Sequence, residues 1–126
     1  MDAARAADVT DPEILNAVRF YRESPRRHSG STNRLIFTSL AGIFGFDALH
    51  LVPEMLRRPL QVILGERRGS NGQFETGWEL SERCTSLDKN FFVVDGAGHY
   101  DLYRKHPHVD LAVERLAASF RAHLGS

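Results

Sequence analysis

At 126 residues the chain has the length of one ordinary domain, so one domain at most is expected. A hydrophobic share of 42% and a charged share of 25% exclude the composition of a disordered chain. Sixteen Lys and Arg balance sixteen Asp and Glu, so no net field draws the chain to nucleic acid or to an anionic membrane.

The lone Cys84 excludes an internal disulfide, and the amino end lacks the basic, apolar and small-residue succession of a signal peptide. No apolar run approaches the ~20 residues that cross a bilayer. A cytoplasmic location is therefore expected, with neither membrane nor nucleic acid as a partner.

In chain order, residues 1–10 are alanine-rich and polar and are expected to form a loose terminus. Thr10-Asp11-Pro12-Glu13 then carries the marks of a helix start: a capping side chain, a proline in the first turn and early acids that suit the dipole. Ile14, Leu15, Val18 and Tyr21 or Arg22 follow at helical spacing, which predicts a short amphipathic helix ending before Pro25. Ser24 to Asn33 mixes proline, glycine, serine and basic side chains and is expected to be a loop, with Ser31 or Thr32 placed to cap the next helix.

Leu35 to Phe46, LIFTSLAGIFGF, is apolar almost all round, and its length predicts a buried helix. Asp47 to Leu56 gives a further short helical stretch before Arg57-Arg58-Pro59. From there the texture changes. Leu60-Gln61-Val62-Ile63-Leu64, closed by Gly65, and Phe91-Phe92-Val93-Val94, closed by Asp95-Gly96, are expected strands. Phe74 to Cys84 between them has an amphipathic helical pattern, so the order is βαβ with parallel strands. Val109, Ala112, Val113, Leu116, Ala117, Phe120 and Leu124 share one face of a closing helix. The fold class is α/β: a parallel βαβ unit with a helical N-terminal half and a closing C-terminal helix. Two parallel strands make a poor sheet alone, so the chain is expected to be part of something larger or to complete itself with a partner.

The segment FFVVDGAGHYDLY, Phe91 to Tyr103, places His99 in the loop after the second strand. Ligands of open α/β sheets meet the loops at the carboxyl ends of strands, and an imidazole there suits a general base because it changes charge near neutral pH.

From Arg58 through Leu124, and above all over GAGHYDLY, the chain resembles the last two strands and closing helices of α/β-hydrolases of the dienelactone-hydrolase-like and polyketide-transferase-like branch. Asp11 through Val52 resembles the segment that precedes those strands in the same branch. The resemblance divides the chain into a loose terminus (1–10), a helical cap-like segment (11–57) and a C-terminal βαβα part of a partial hydrolase fold (58–126).

The resemblance implies ester or acyl hydrolysis, or acyl transfer, on a small acyl or ester substrate, with His99 as the triad histidine and no metal or organic cofactor. Glu66 is the carboxylate nearest the position of the family's triad acid. Tyr100, beside His99, is expected to meet substrate. Arg26, Arg27 and Arg34 form a positive patch in the cap-like region suited to a carboxylated or phosphorylated substrate. The family also needs a nucleophile on a tight strand-to-helix elbow and an oxyanion hole. Neither G-x-S-x-G nor G-x-C-x-G occurs in this chain. The chain is therefore expected to be inactive alone, pairing with a missing N-terminal half; the alternative is a non-catalytic remnant that forms a homo-oligomer or binds a partner.

Other chemistry-bearing residues read more plainly. Cys84, inside a helical pattern, is expected to be a small buried residue. Asp101 is expected to cap the following helix or fix the loop. His106 and His108 flank Pro107 in a solvent-exposed turn, with no further residues completing a recognisable metal set.

Overall fold

The β-branched run after Pro59 and the aromatic run after Asp88 pair as predicted. In the computed structural model, which describes residues 2–25, 27–32 and 34–125, β1 (Leu60–Gly65) and β2 (Lys89–Val94) form a parallel two-stranded sheet. Its register runs from Leu60 opposite Lys89 to Gly65 opposite Val94. The chain divides into two units, Met1–Ala48 and Leu49–Ser126.

In the first unit, α1 (Asp2–Ala6) is a short helix where a loose terminus was expected. The predicted start of α2 (Pro12–Val18) is present: the Asp11 carboxylate accepts the Glu13 and Ile14 amides at 2.8 and 3.1 Å, satisfying donors the first turn leaves open. The helix continues through a π-helical turn, Arg19–Glu23, and stops at Ser24 ahead of Pro25. The following loop is closed locally by Ser31 donating to the His28 carbonyl at 3.0 Å rather than by a cap on a new helix.

The predicted buried helix over residues 35–46 is broken and exposed. A single 3₁₀ turn, Phe37–Ser39, leads into a short α3 (Leu40–Gly45), and Phe37 and Phe44 are each 84% exposed. Ser39 at the amino end gives no side-chain cap, Gly42 and Gly45 weaken the helix from within, and helices this short draw their stability from packing. An apolar sequence therefore gave a helical turn without a core to support it.

The second unit begins with α4 (Val52–Met55), shorter than the predicted helix from Asp47 to Leu56. Between the strands, α5 (Gln73–Arg83) occupies the expected stretch. After β2 come a single turn, α6 (Asp101–Arg104), and the closing helix α7 (His108–Leu124). Consecutive strand residues point to opposite faces. Accordingly Phe91 meets Phe74 and Trp78 of α5 edge-on, at 5.7 and 5.2 Å between ring centroids, while Phe92 lies under the Arg115 guanidinium of α7 at 4.4 Å. The sheet is thus covered by α5 on one face and α7 on the other, the layering that a parallel pair requires.

Val62, Cys84, Val94 and Ala97 form the buried apolar centre of this unit. Cys84 follows the last residue of α5 and is buried, as the sequence suggested. Its Sγ donates to the Leu56 carbonyl at 3.3 Å, and Lys89 Nζ donates to the Ser81 and Cys84 carbonyls at 2.6 and 3.1 Å, placing a cation at the helix's carboxyl end.

Candidate active site

The loop carrying His99 starts where β2 ends at Val94. Gly96 takes φ +66°, a left-handed conformation that glycine adopts without a Cβ penalty, and turns the chain back toward β1. Ala97 is then wholly buried, and its carbonyl sits so close to Gly65 that a Cβ there would lie 2.5 Å from the oxygen. Gly65 has to be glycine for the two strand ends to approach.

Backbone bonds stitch the loops together: Glu66 N–H donates to the Val94 carbonyl at 3.1 Å and Arg67 N–H to the Ala97 carbonyl at 2.9 Å. The Glu66 carboxylate, exposed on its outer side, accepts the Gly96 amide at 2.8 Å. Asp101 anchors the other end of the loop. Its Oδ2 accepts the Gly98 amide at 2.9 Å and pairs with Arg67, while Oδ1 lies 3.8 Å from Lys105 Nζ. Burial pushes the Asp101 carboxyl up, but the Gly98 N–H, Lys105 and Arg67 together outweigh it and hold the group below its ordinary value of 3.8. The expectation that Asp101 fixes the loop is met in this geometry.

His99 is half-buried in the space so defined. Its Nε2 is 2.7 Å from the Tyr103 hydroxyl, one helical turn on, and its ring stands edge-to-face with Tyr100 and Tyr103 at 5.1 and 4.9 Å. Tyr103 is the hydrogen-bond partner of His99 among the described residues, and Nδ1 is left without one. Of the two contacts that orient and use a catalytic imidazole, a hydroxyl on one ring nitrogen and a carboxylate on the other, the described residues supply only the hydroxyl.

The structure brings His99, Tyr100 and Glu66 to the two loops at the carboxyl ends of β1 and β2, with Glu66 bracing Gly96 rather than bonded to the imidazole. Arg27 and Arg34 belong to the first unit and are exposed there; Arg26 lies outside the described residues. Tyr103 and Arg67 were not singled out from the sequence. The signal for Tyr103 was present in its spacing four residues from His99, which stacks the two side chains on one side of a helical turn.

His106 Nδ1 meets Asp110 Oδ1 at 2.7 Å across one turn of α7. No group of three or more His, Cys, Asp or Glu side chains that could hold a metal ion occurs among the described residues, and none of their helices is long and apolar enough to cross a membrane.

No protein-family model matches the chain. Over 116 residues, 92% of its length, it is 28% identical to the uncharacterized protein YcjY of Escherichia coli (strain K12), and the matched stretch is 37% of that protein. The chain thus spans a little over a third of the length of the relative it matches.

Proposed function

We propose that this chain contributes the histidine-bearing part of an α/β-hydrolase-like ester or acyl hydrolase, or acyl transferase, with His99 as its general base, and that the chain by itself turns over no ester. The observation that carries the reading is the placement of His99. It sits on the loop after a parallel strand, braced through Gly96 and Asp101, with Nε2 already 2.7 Å from a hydroxyl. The Tyr103 contact supports the reading in that it shows Nε2 within reach of an O–H group. A nucleophile elbow is absent from the sequence, so chemistry requires a Ser or Cys from outside these residues.

The test is hydrolysis of short and medium p-nitrophenyl esters by the purified chain and by His99→Ala, with size-exclusion chromatography on both. Both proteins are expected to be inert. Turnover that disappears with His99→Ala means that a nucleophile lies within this chain, and the dependence on an outside one is lost. A chain extended at its amino end by a G-x-S-x-G-bearing hydrolase half is expected to gain ester turnover that His99→Ala removes; a folded but inert fusion overturns the catalytic reading.

A second reading is favoured by the exposure of Phe37, Phe44 and Phe46, at 84, 84 and 75%. Exposed aromatics at this density suit a non-catalytic association surface, whether to a second copy or to another chain. Elution as one defined oligomer that Phe44→Glu dissociates, combined with inertness of the fusion, selects it.

A further inference from the structure

We propose that the cavity between the amino end of β1 and the carboxyl end of α7 binds an amphipathic monocarboxylate, an apolar chain ending in one carboxylate, with Arg58 as the anchor. The cavity is about 600 Å³, within the range that accommodates small organic ligands. Leu60 of β1 and Leu116, Phe120 and Leu124 of α7 supply its apolar wall, and Arg58 and His123 supply its charge.

The α7 residues recur every fourth position, so they form one continuous stripe along the helix. Phe120 and Leu124 are 57 and 78% exposed, leaving apolar surface that an alkyl chain would take out of water.

The charged groups are unequal. His123 Nε2 already lies 3.5 Å from the Asp88 carboxylate. Arg58 has neither a hydrogen bond nor an ion pair among the described residues, although it lines the cavity. A guanidinium presents parallel N–H donors matched to a carboxylate. One unengaged guanidinium at the edge of an apolar lining suits a single negative charge with an apolar tail, rather than a polyanion.

This site does not rest on the hydrolase reading. β1 is six residues long, so its amino end lies about 20 Å of strand away from the loop that carries His99.

Calorimetric titration of the full chain with decanoate, decan-1-ol and inorganic phosphate tests the proposal. Decanoate is expected to bind saturably at one site per chain, decan-1-ol about tenfold more weakly, and phosphate not at all. Arg58→Gln, which removes no internal contact, should weaken decanoate by the same factor, and Leu116→Trp should abolish binding by filling the cavity. Should Leu116→Trp unfold, Ser119→Trp fills it from a neighbouring position on the same helix. His99→Ala should leave binding unchanged. Absence of saturable decanoate binding overturns the proposal, as does binding that folded Arg58→Gln and the cavity-filling variant both leave unchanged.

Discussion

Gly65 and Gly77 offer a controlled comparison of what a single methyl group meets. A Cβ built on Gly65 would lie 2.5 Å from the Ala97 carbonyl oxygen and 2.9 Å from its carbon; one built on Gly77 would lie 2.5 Å from Leu64 Cδ1. Both fall about 0.9 Å inside the 3.4 Å at which ordinary contact begins. The distances match, but the obstacles differ. Ala97 is wholly buried and its carbonyl already accepts the Arg67 amide, so relief at Gly65 means moving the end of β1 away from the His99 loop and stretching that bond. Overpacking of this kind, with a strained buried hydrogen bond added, costs about 2–3 kcal/mol. At Gly77 the obstacle is the far end of a leucine side chain, which can change rotamer, and the helix gains about 1 kcal/mol from replacing glycine with alanine. Gly77→Ala should therefore change stability by less than about 1 kcal/mol in either direction. Urea unfolding followed by fluorescence of Trp78, the one tryptophan, reads the second unit directly because the indole packs on Phe91 of β2. With a denaturant slope of about 1–2 kcal/mol per molar, Gly65→Ala should lower the midpoint by about 1–3 M. Equal midpoints for the two variants would refute the argument that β1 and the His99 loop are held at closest backbone approach.

Asp101 gives a pH-dependent counterpart. Its folded-state pKa is depressed below 3.8, so its contribution to stability is fully present above that value and is lost as pH falls through the folded pKa. The midpoint difference between wild type and Asp101→Asn should be constant near neutrality and shrink below about pH 4; a difference that stays flat into acid removes Asp101 as the loop's anchor. Tyr103→Phe deletes the hydroxyl 2.7 Å from His99 Nε2, so carbethoxylation of His99 by diethyl pyrocarbonate should accelerate about fivefold, the factor that a ~1 kcal/mol hydrogen bond represents. An unchanged rate at His99, followed by mass spectrometry of the modified peptide, rejects the contact. Cys84 is 3% exposed and should resist an aromatic disulfide reagent until urea unfolds the second unit, and Cys84→Ala should cost about 1 kcal/mol. Rapid labelling of the folded chain refutes its placement in the core.

The parts of the fold that could be read from the sequence are those whose pattern matches their surroundings. Leu60 to Leu64 and Phe91 to Val94 are β-branched and aromatic runs lying between two helices, and such runs are what a sheet covered on both faces selects. Residues 35–46 were misread because an apolar run specifies a preference for burial without supplying the neighbours that would bury it. In the structure the run forms a turn and a short helix with Phe37 and Phe44 exposed. The site was half legible for a related reason. The loop position of His99 follows from the strand before it, and Asp101's role follows from a glycine three residues back whose amide it can reach. Which cation or amide each remaining carboxylate finds does not follow. Glu66 has Arg67 and Arg68 as its sequence neighbours, yet Arg67 turns to Asp101, Arg68 lies 3.7 Å from Glu75, and Glu66 takes the Gly96 amide. Exposed ion pairs of this kind differ by only about 1 kcal/mol. The selection is made by the backbone, which brings Gly96 and Ala97 against the end of β1, and that approach depends on Gly65 lacking a side chain. The residue that organises the site is thus a glycine at the end of a strand rather than any of its titratable groups.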